Sequence, residues 1–284
     1  MRINLGNKSI LAVAGEEYVV EADGPNCIVF VNEKKGPVAV NGQVLPPFRM
    51  PGLMGHRGLT KGDNENTTAS IIACEEIGVA MVEIDVQLTC ENDVVVMHNT
   101  VFRDARVEDT PTEVLLAQGV ELFSDLLQNT SIGINVEIKY ENSNIPPQEY
   151  CRRVVDVVSA APRSKLWASP ESGEGASQAP IIYSSFSKQI CSEMRAYTPN
   201  VLYITETFTR EEIAYASSAS MLGLVTEDAE VLKASELVLH AKKEGLYLIT
   251  YGDLNNRLET VSKQLMLGVD SVISDNVRVL AKFL

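Results

Sequence analysis

Eight short runs of apolar, largely β-branched residues recur along the chain from residue 53 onward, each followed by a longer segment of helical pattern. This alternation constrains the fold most, because strands linked through helices build a parallel sheet. The runs cover 53–56, 81–86, 132–138, 181–184, 201–205, 221–225, 246–251 and 271–274. Several are apolar at nearly every position, as strands covered on both faces must be. Eight such units suit closure into a TIM-type (β/α)8 barrel of the α/β class, a fold that commonly takes about 250 residues in one domain. Helices are predicted over 67–77, 122–128, 147–160, 188–196, 210–216, 235–244 and 258–267, with a last one from Val277. Pro147 stands near a first-turn position, and Gly245 and Gly268 follow helical runs where a left-handed cap is expected.

Two stretches break the rhythm, 99–120 and the Pro/Gly/Ser-rich 163–180, and both read as loops; the second carries the lone tryptophan, Trp167, expected to pack down in part. Residues 1–50 show instead short alternating segments at 18–21, 28–31 and 38–40, with an Asn41-Gly42 pair that favours a tight hairpin. The predicted organisation is a β-rich appendage over 1–50 and a barrel domain over 51–284. Capping the barrel's lower end and supporting dimerisation into a homo-oligomer are both compatible with the appendage.

The formal net charge is −14 at pH 7, a field that repels nucleic acid and anionic membranes. An anionic small-molecule substrate would need a local cation, arginine or lysine to invert that potential. The five cysteines, Cys27, Cys74, Cys90, Cys151 and Cys191, are scattered without a C-x-x-C pair, against a zinc cluster or a disulfide framework. No apolar run reaches about 18 residues, and the N-terminus has too short an apolar core for a signal peptide, so a cytoplasmic protein without stable membrane insertion is expected.

The chemistry-bearing residues cluster at strand ends. The first strand ends in His56-Arg57-Gly58, an imidazole and a guanidinium fork at the face where barrel active sites sit. The second carries Glu83-Ile84-Asp85, whose carboxylates share one face because strand side chains alternate. Like charges so close favour a hard cation between them, Mg²⁺ or Ca²⁺, although an E-x-D pair alone is commonly just solvated. Val94 to Met97 is an apolar run ending in His98, read as a short strand folded back beside the second barrel strand. With three histidines in the chain, two at strand ends in one half of the barrel point to a site rather than to a satisfied core histidine. The third strand repeats the alternation as Val136-Glu137-Ile138-Lys139; Glu137 could complete a metal site and Lys139 face a phosphate, with a plain surface Glu–Lys pair as the alternative. His240, near a helix C-terminus, is assigned no chemistry.

Taken in order, His56, Arg57, Glu83, Asp85, His98, Glu137 and Lys139 make the chain from about Leu53 to Leu284 resemble the glycerophosphodiester phosphodiesterase family. Asn64-Glu65-Asn66-Thr67 before the first helix, Ser184-Ser185-Phe186 after the fourth strand and Val272-Ile273-Ser274-Asp275 on the last strand add to the match. Ile182 to Phe186 and Tyr251-Gly252-Asp253 look most like the eukaryotic glycerophosphocholine phosphodiesterase branch. Two positions depart from the family pattern: Tyr251 stands where Trp is usual, which bears on the alcohol pocket, and Asn99 replaces the usual Asp after His98, which bears on that imidazole's orientation.

The resemblance implies a divalent metal, Mg²⁺ or Ca²⁺, on Glu83, Asp85 and Glu137. It also implies His56 and His98 as general base and acid, Arg57 and Lys139 as phosphate contacts acting in catalysis, Tyr251 against the substrate, and Glu65 supporting the site from behind, although Glu65 could equally begin the first helix as a favourable first-turn acid. The implied reaction releases sn-glycerol 3-phosphate and an alcohol, choline or ethanolamine, through a cyclic phosphate. A phosphatidylinositol-type phospholipase C would use similar groups, but the chain has no basic amphipathic helix or polybasic run for a membrane surface. A barrel that only binds ligands is the alternative from another class.

Overall fold

A computed structural model describes residues 50–59, 64–161 and 180–283 in full, together with the backbone of the strands before residue 50 and of Leu166–Trp167 and Ser177–Gln178. Eight parallel strands form the barrel: β1 (Leu53–His56), β2 (Met81–Leu88), β3 (Gly133–Ile138), β4 (Ile181–Ser185), β5 (Val201–Thr205), β6 (Gly223–Glu227), β7 (Tyr247–Tyr251) and β8 (Ser271–Ser274). The sheet closes on itself: β8 pairs with β1 through Val272↔Leu53, and β1 pairs with β2 through His56↔Glu83. Closure leaves the barrel no exposed edge.

Alternation along the strands divides the core in two. Met54, Met81, Ile182, Leu202, Ile249 and Ile273 are among the residues that fill the interior, while outward residues such as Val82, Ile84, Val136 and Leu224 pack against the helices. The apolar interior therefore forms the floor on which polar side chains at the strand C-termini stand. Helices Pro147–Ala160 and Leu258–Leu267 have the predicted bounds, with Pro147 in the first turn and Gly268 left-handed (φ 103°) at the cap.

Three sequence expectations change. The sixth strand lies two residues later than 221–225, because Met221 and Leu222 are buried ahead of it and Gly223 is where pairing with Leu202 and Tyr247 begins. A helix at Asp228–Lys233 follows it, too short for its period to be read. The stretch 99–120 is not a plain loop: it holds the hairpin Val101–Phe102/Ala105–Arg106, a 3₁₀ turn at Val107–Asp109 and a helix at Thr112–Leu116. That helix is capped from a distance, the Thr112 N–H donating to Glu91 at 2.8 Å.

Val94–Val96 folds back antiparallel on the end of β2, as expected for the run before His98, and Glu121–Leu122 pairs on its far side. In 163–180, Leu166–Trp167 pairs with Ser177–Gln178; the packing of Trp167 lies outside the described residues. Before residue 50, six strands from Arg2–Leu5 to Gln43–Val44 form an antiparallel meander. The Val40↔Gln43 pair leaves Asn41-Gly42 as the connection, whose own conformation is outside the described residues. Cys74, Cys90, Cys151 and Cys191 are free thiols, and no helix of the described residues is long and apolar enough to cross a membrane.

Candidate active site

Strand register brings the carboxylates together. Glu83 lies beside His56 and Asn135 on the neighbouring strands, and Asp85 lies beside Glu137. All three acids point into the barrel, and one oxygen from each lies within 4.8 Å of the others. They face a cleft of about 220 Å³ at the C-terminal mouth, lined also by His56, Arg57, His98, Lys139, Phe186 and Tyr251. Seven of the nine singled-out residues thus converge directly, Tyr251 forms the opposite wall, and Glu65 reaches the site through Arg57 at 2.9 Å.

Local structure explains the placement. Arg57 adopts a left-handed backbone (φ 52°) as β1 ends, a conformation uncommon for a residue with a side chain. It is fixed from both sides: the Arg57 N–H donates to Glu83 at 3.2 Å, and its carbonyl accepts from the N–H of Asn66 and the hydroxyl of Ser70. Asn66 in turn clasps Asp85, its amide donating to Oδ2 at 2.9 Å and its carbonyl oxygen accepting the Asp85 N–H at 3.1 Å. His98 follows the returning strand, where the Met97 N–H donates to the Asp85 carbonyl and the Gln87 amide donates to the carbonyls of Met97 and Asn99. Tyr150 joins β2 to β3 by donating to the Lys139 carbonyl and accepting the Leu88 N–H.

The electrostatics are dominated by burial. Glu83 and Asp85 are 4% and 1% exposed. Burial pushes Glu83 well above the usual carboxylate range, and the charges of Asp85 and Glu137 add to it. Glu137 is pushed up to about 7, first by burial and then by Asp85, against the pull of Lys139. Burial acts most strongly on Asp85 too, but there Lys139, the Asn66 amide, Arg57 and His98 together outweigh it and hold the group low. Lys139 Nζ lies 2.6 Å from Glu137 and 3.1 Å from Asp85, and Arg57 Nε lies 3.4 Å from Asp85. Two cations thus face three acids, and Glu83 Oε1 is buried without a hydrogen-bond partner. An oxygen-only donor set with surplus negative charge and a buried unpartnered carboxylate oxygen fits a hard divalent cation such as Mg²⁺ or Ca²⁺.

The two histidines are held differently. His56 Nδ1 lies 2.6 Å from Asp275, and that contact is the first reason the Asp275 carboxyl titrates below its ordinary range. His98 Nδ1 lies 3.1 Å from the Asn99 side-chain oxygen; its pKa is lowered, first by burial and then, against the opposing charge of Asp85, by Lys139. Asp275, Asn66 and the Asp253–Asn256 turn complete the site, and sequence reasoning gave them no role. The turn rests on Asp228, which accepts the Asn255 N–H at 2.9 Å, and Asn256 reaches Asp275 at 3.1 Å. Gly252 has φ 132°, and a Cβ there would lie 2.7 Å from the Asp228 carboxylate.

Fold and site together define a barrel with a carboxylate cluster, two imidazoles and two fixed cations at its mouth. Residues 56–279 match the model of the glycerophosphoryl diester phosphodiesterase family. The chain belongs to that family, and so to a class of phosphoric diester hydrolases. It is similar to glycerophosphocholine phosphodiesterase gde1 of Schizosaccharomyces pombe, at 27% identity over 79% of this chain but 27% of that protein's length. A glycerophosphodiester phosphodiesterase of Arabidopsis thaliana, GDPD2, is 23% identical over 81% of this chain and 77% of its own. In fold it is similar to a phosphodiesterase of Oleispira antarctica in complex with the product sn-glycerol-3-phosphate, with a TM-score of 0.69, 20% identity and coverage of 82% and 96% of the two chains.

Proposed function

We propose that this chain hydrolyses glycerophosphodiesters to sn-glycerol 3-phosphate and an alcohol, with a divalent cation held by Glu83, Asp85 and Glu137. The observation that carries this reading is the convergence of three buried carboxylates, two histidines and two cationic side chains on one cleft. When bound, the cation would neutralise charge on the phosphate and its attacking oxygen. Arg57 and Lys139 bind the non-bridging oxygens, where donors fixed on a rigid frame cost no reorganisation as charge develops. Glu65 keeps the Arg57 guanidinium oriented, and the seven-residue set argues against a barrel that only binds.

His56, its Nδ1–H given to Asp275, keeps a basic Nε2 and takes the proton of the glycerol 2-hydroxyl. The bond from that oxygen to phosphorus forms as the bond from phosphorus to the alcohol oxygen breaks, and His98 protonates the departing oxygen. Water then opens the cyclic phosphate with the two imidazoles in exchanged roles. The barrel domain is assigned to residues 51–284 and the β-rich appendage to residues 1–50.

Purified protein assayed on glycerophosphocholine, with sn-glycerol 3-phosphate as the measured product, tests the reading. Turnover that stops on chelation and returns with Mg²⁺ or Ca²⁺ is expected. No hydrolysis, or hydrolysis indifferent to the chelator, would overturn it.

A further inference from the structure

The proposed chemistry needs His56 in one tautomer, protonated on Nδ1 and free on Nε2, and the carboxylate that fixes it is half-exposed. Asp275 lies 2.6 Å from Nδ1, yet its side chain is 46% exposed, so burial does not hold it in one plane as it holds Asp85. Asn256 is not among the residues that line the cleft, but its amide reaches Asp275 from the Asp253–Asn256 turn. The Asn256 side-chain oxygen accepts the N–H of Asp275 at 2.9 Å, the N–H of Asn276 at 3.2 Å and the Ser274 hydroxyl at 2.9 Å. The Asn276 amide donates back to the Asn256 carbonyl at 2.9 Å, so the turn and the end of β8 clasp one another.

These contacts decide which way round the amide stands. A backbone N–H can only donate, so two of them hold the Asn256 oxygen toward residues 275 and 276. The NH2 group then faces the Asp275 carboxylate and donates to Oδ2 at 3.1 Å, which leaves Oδ1 presented to His56. The platform beneath is fixed: the neighbouring Asn255 is fully buried, donates to the Thr250 and Ile273 carbonyls at 2.8 and 3.1 Å, and accepts from Gln264 at 2.7 Å. A directed chain of hydrogen bonds therefore starts at backbone N–H groups, runs through Asn256 and Asp275, and ends at one nitrogen of His56. Resting on the proposed hydrolysis, we infer that Asn256 is a positioning residue for the general base, holding the Asp275 carboxylate in the plane and sense that keep His56 protonated on Nδ1. It acts through Asp275 and touches no reacting atom.

Asn256→Asp tests this without dismantling the turn. A carboxylate still accepts from Ser274 and from both N–H groups; it loses only the donor to Asp275 and sets like charges face to face. At about pH 8, kcat on glycerophosphocholine should fall about 10- to 100-fold while KM holds, the scale of a misplaced catalytic group. In an Asp275→Asn background the same substitution should act with the opposite sign. There the carboxylate at 256 accepts from the amide at 275 and turns that amide's oxygen toward His56 Nδ1. The double variant should turn over about 3- to 10-fold faster than Asp275→Asn alone, within the coupling found inside one hydrogen-bonded network. Nitrogen NMR of labelled histidine should show neutral His56 protonated on Nδ1 in the double variant and mixed in Asp275→Asn. An unchanged kcat in Asn256→Asp, a double variant no faster than Asp275→Asn, or one tautomer ratio in both would overturn the assignment while leaving the hydrolase reading intact. Failure of the unaltered protein to cleave glycerophosphocholine would overturn the hydrolase reading and this inference with it.

Discussion

On the β1 to β3 side of the cleft, Arg57 and Lys139 are each tied to carboxylates at 2.6–3.4 Å, and the backbone of Arg57 and Asp85 is itself pinned. On the β4 to β7 side, two aromatic rings meet, and among the described residues Asp253 lines the cleft there and no lysine or arginine does. The first side is closed by register: residues opposite one another on neighbouring parallel strands, locked by hydrogen bonds from Asn66, Gln87 and Tyr150. The second is closed by residues at or just beyond strand ends and is more exposed. Rigid placement suits groups that act on a phosphodiester whatever its alcohol, while a wall on strand-end segments suits discrimination between alcohols.

The largest effect should come from breaking the charged side. Glu83→Gln or Asp85→Asn is expected to lower kcat by about 10³-fold, the scale of losing a fixed electrostatic stabiliser, and to weaken binding of Mg²⁺ in calorimetric titration; unchanged affinity would detach these acids from the cation. Next, His56→Ala and His98→Ala should each lower turnover by about 10²-fold or more while sparing that affinity, and near-unaltered rates would remove their acid–base roles. A smaller change, Asp275→Asn, should lower kcat by about 10- to 100-fold, because a carboxylate can only accept from His56 Nδ1 and so fixes one tautomer, whereas an amide can also donate and favour the other. An unchanged kcat would reduce Asp275 to a packing group.

The smallest effect concerns stability without a cation. Burial pushes the Glu137 carboxyl up to about 7 in the folded protein, from an ordinary value of 4.5. Its contribution is therefore complete below about 4.5 and is lost as pH rises through 7. Glu83 acts in the same direction. The melting temperature of chelated protein should fall by several degrees between pH 5 and pH 8, since about 1 kcal/mol moves it by roughly 2–4 °C in a domain of this size. Saturating Mg²⁺ or Ca²⁺ should remove the fall; an equal slope with and without the cation would separate the acids from cation binding.

The charged side was largely legible in the sequence, and the reason is periodicity. Two-residue alternation in Glu83-Ile84-Asp85 and Glu137-Ile138-Lys139 fixes which side chains share a face, and eight runs with intervening helices fix that the faces meet. Asp275 was different. It stands 219 residues from His56, and only the closure of β8 onto β1 brings them together. Its motif was visible as a likeness, without a contact to give it a role. Asn66 was hidden for a related reason, since a buried asparagine in a turn looks like any turn residue until its amide meets Asp85. The helix at Thr112–Leu116 escaped because its capping carboxylate, Glu91, lies 21 residues upstream.

The short turn Asp253–Asn256 has two clients. Gly252, which leads into it directly from Tyr251, lies against the Asp228 carboxylate, and Asn256 braces the carboxylate that holds His56. On the proposed reading, exchanging the 251–256 segment for a relative's would disturb the support of His56 as well as the cleft wall, unless positions 228 and 275 travelled with it. The wall carrying Tyr251 and the support of His56 are thus mechanically yoked through four backbone residues, so variation of that wall should begin at 186 and leave the turn alone.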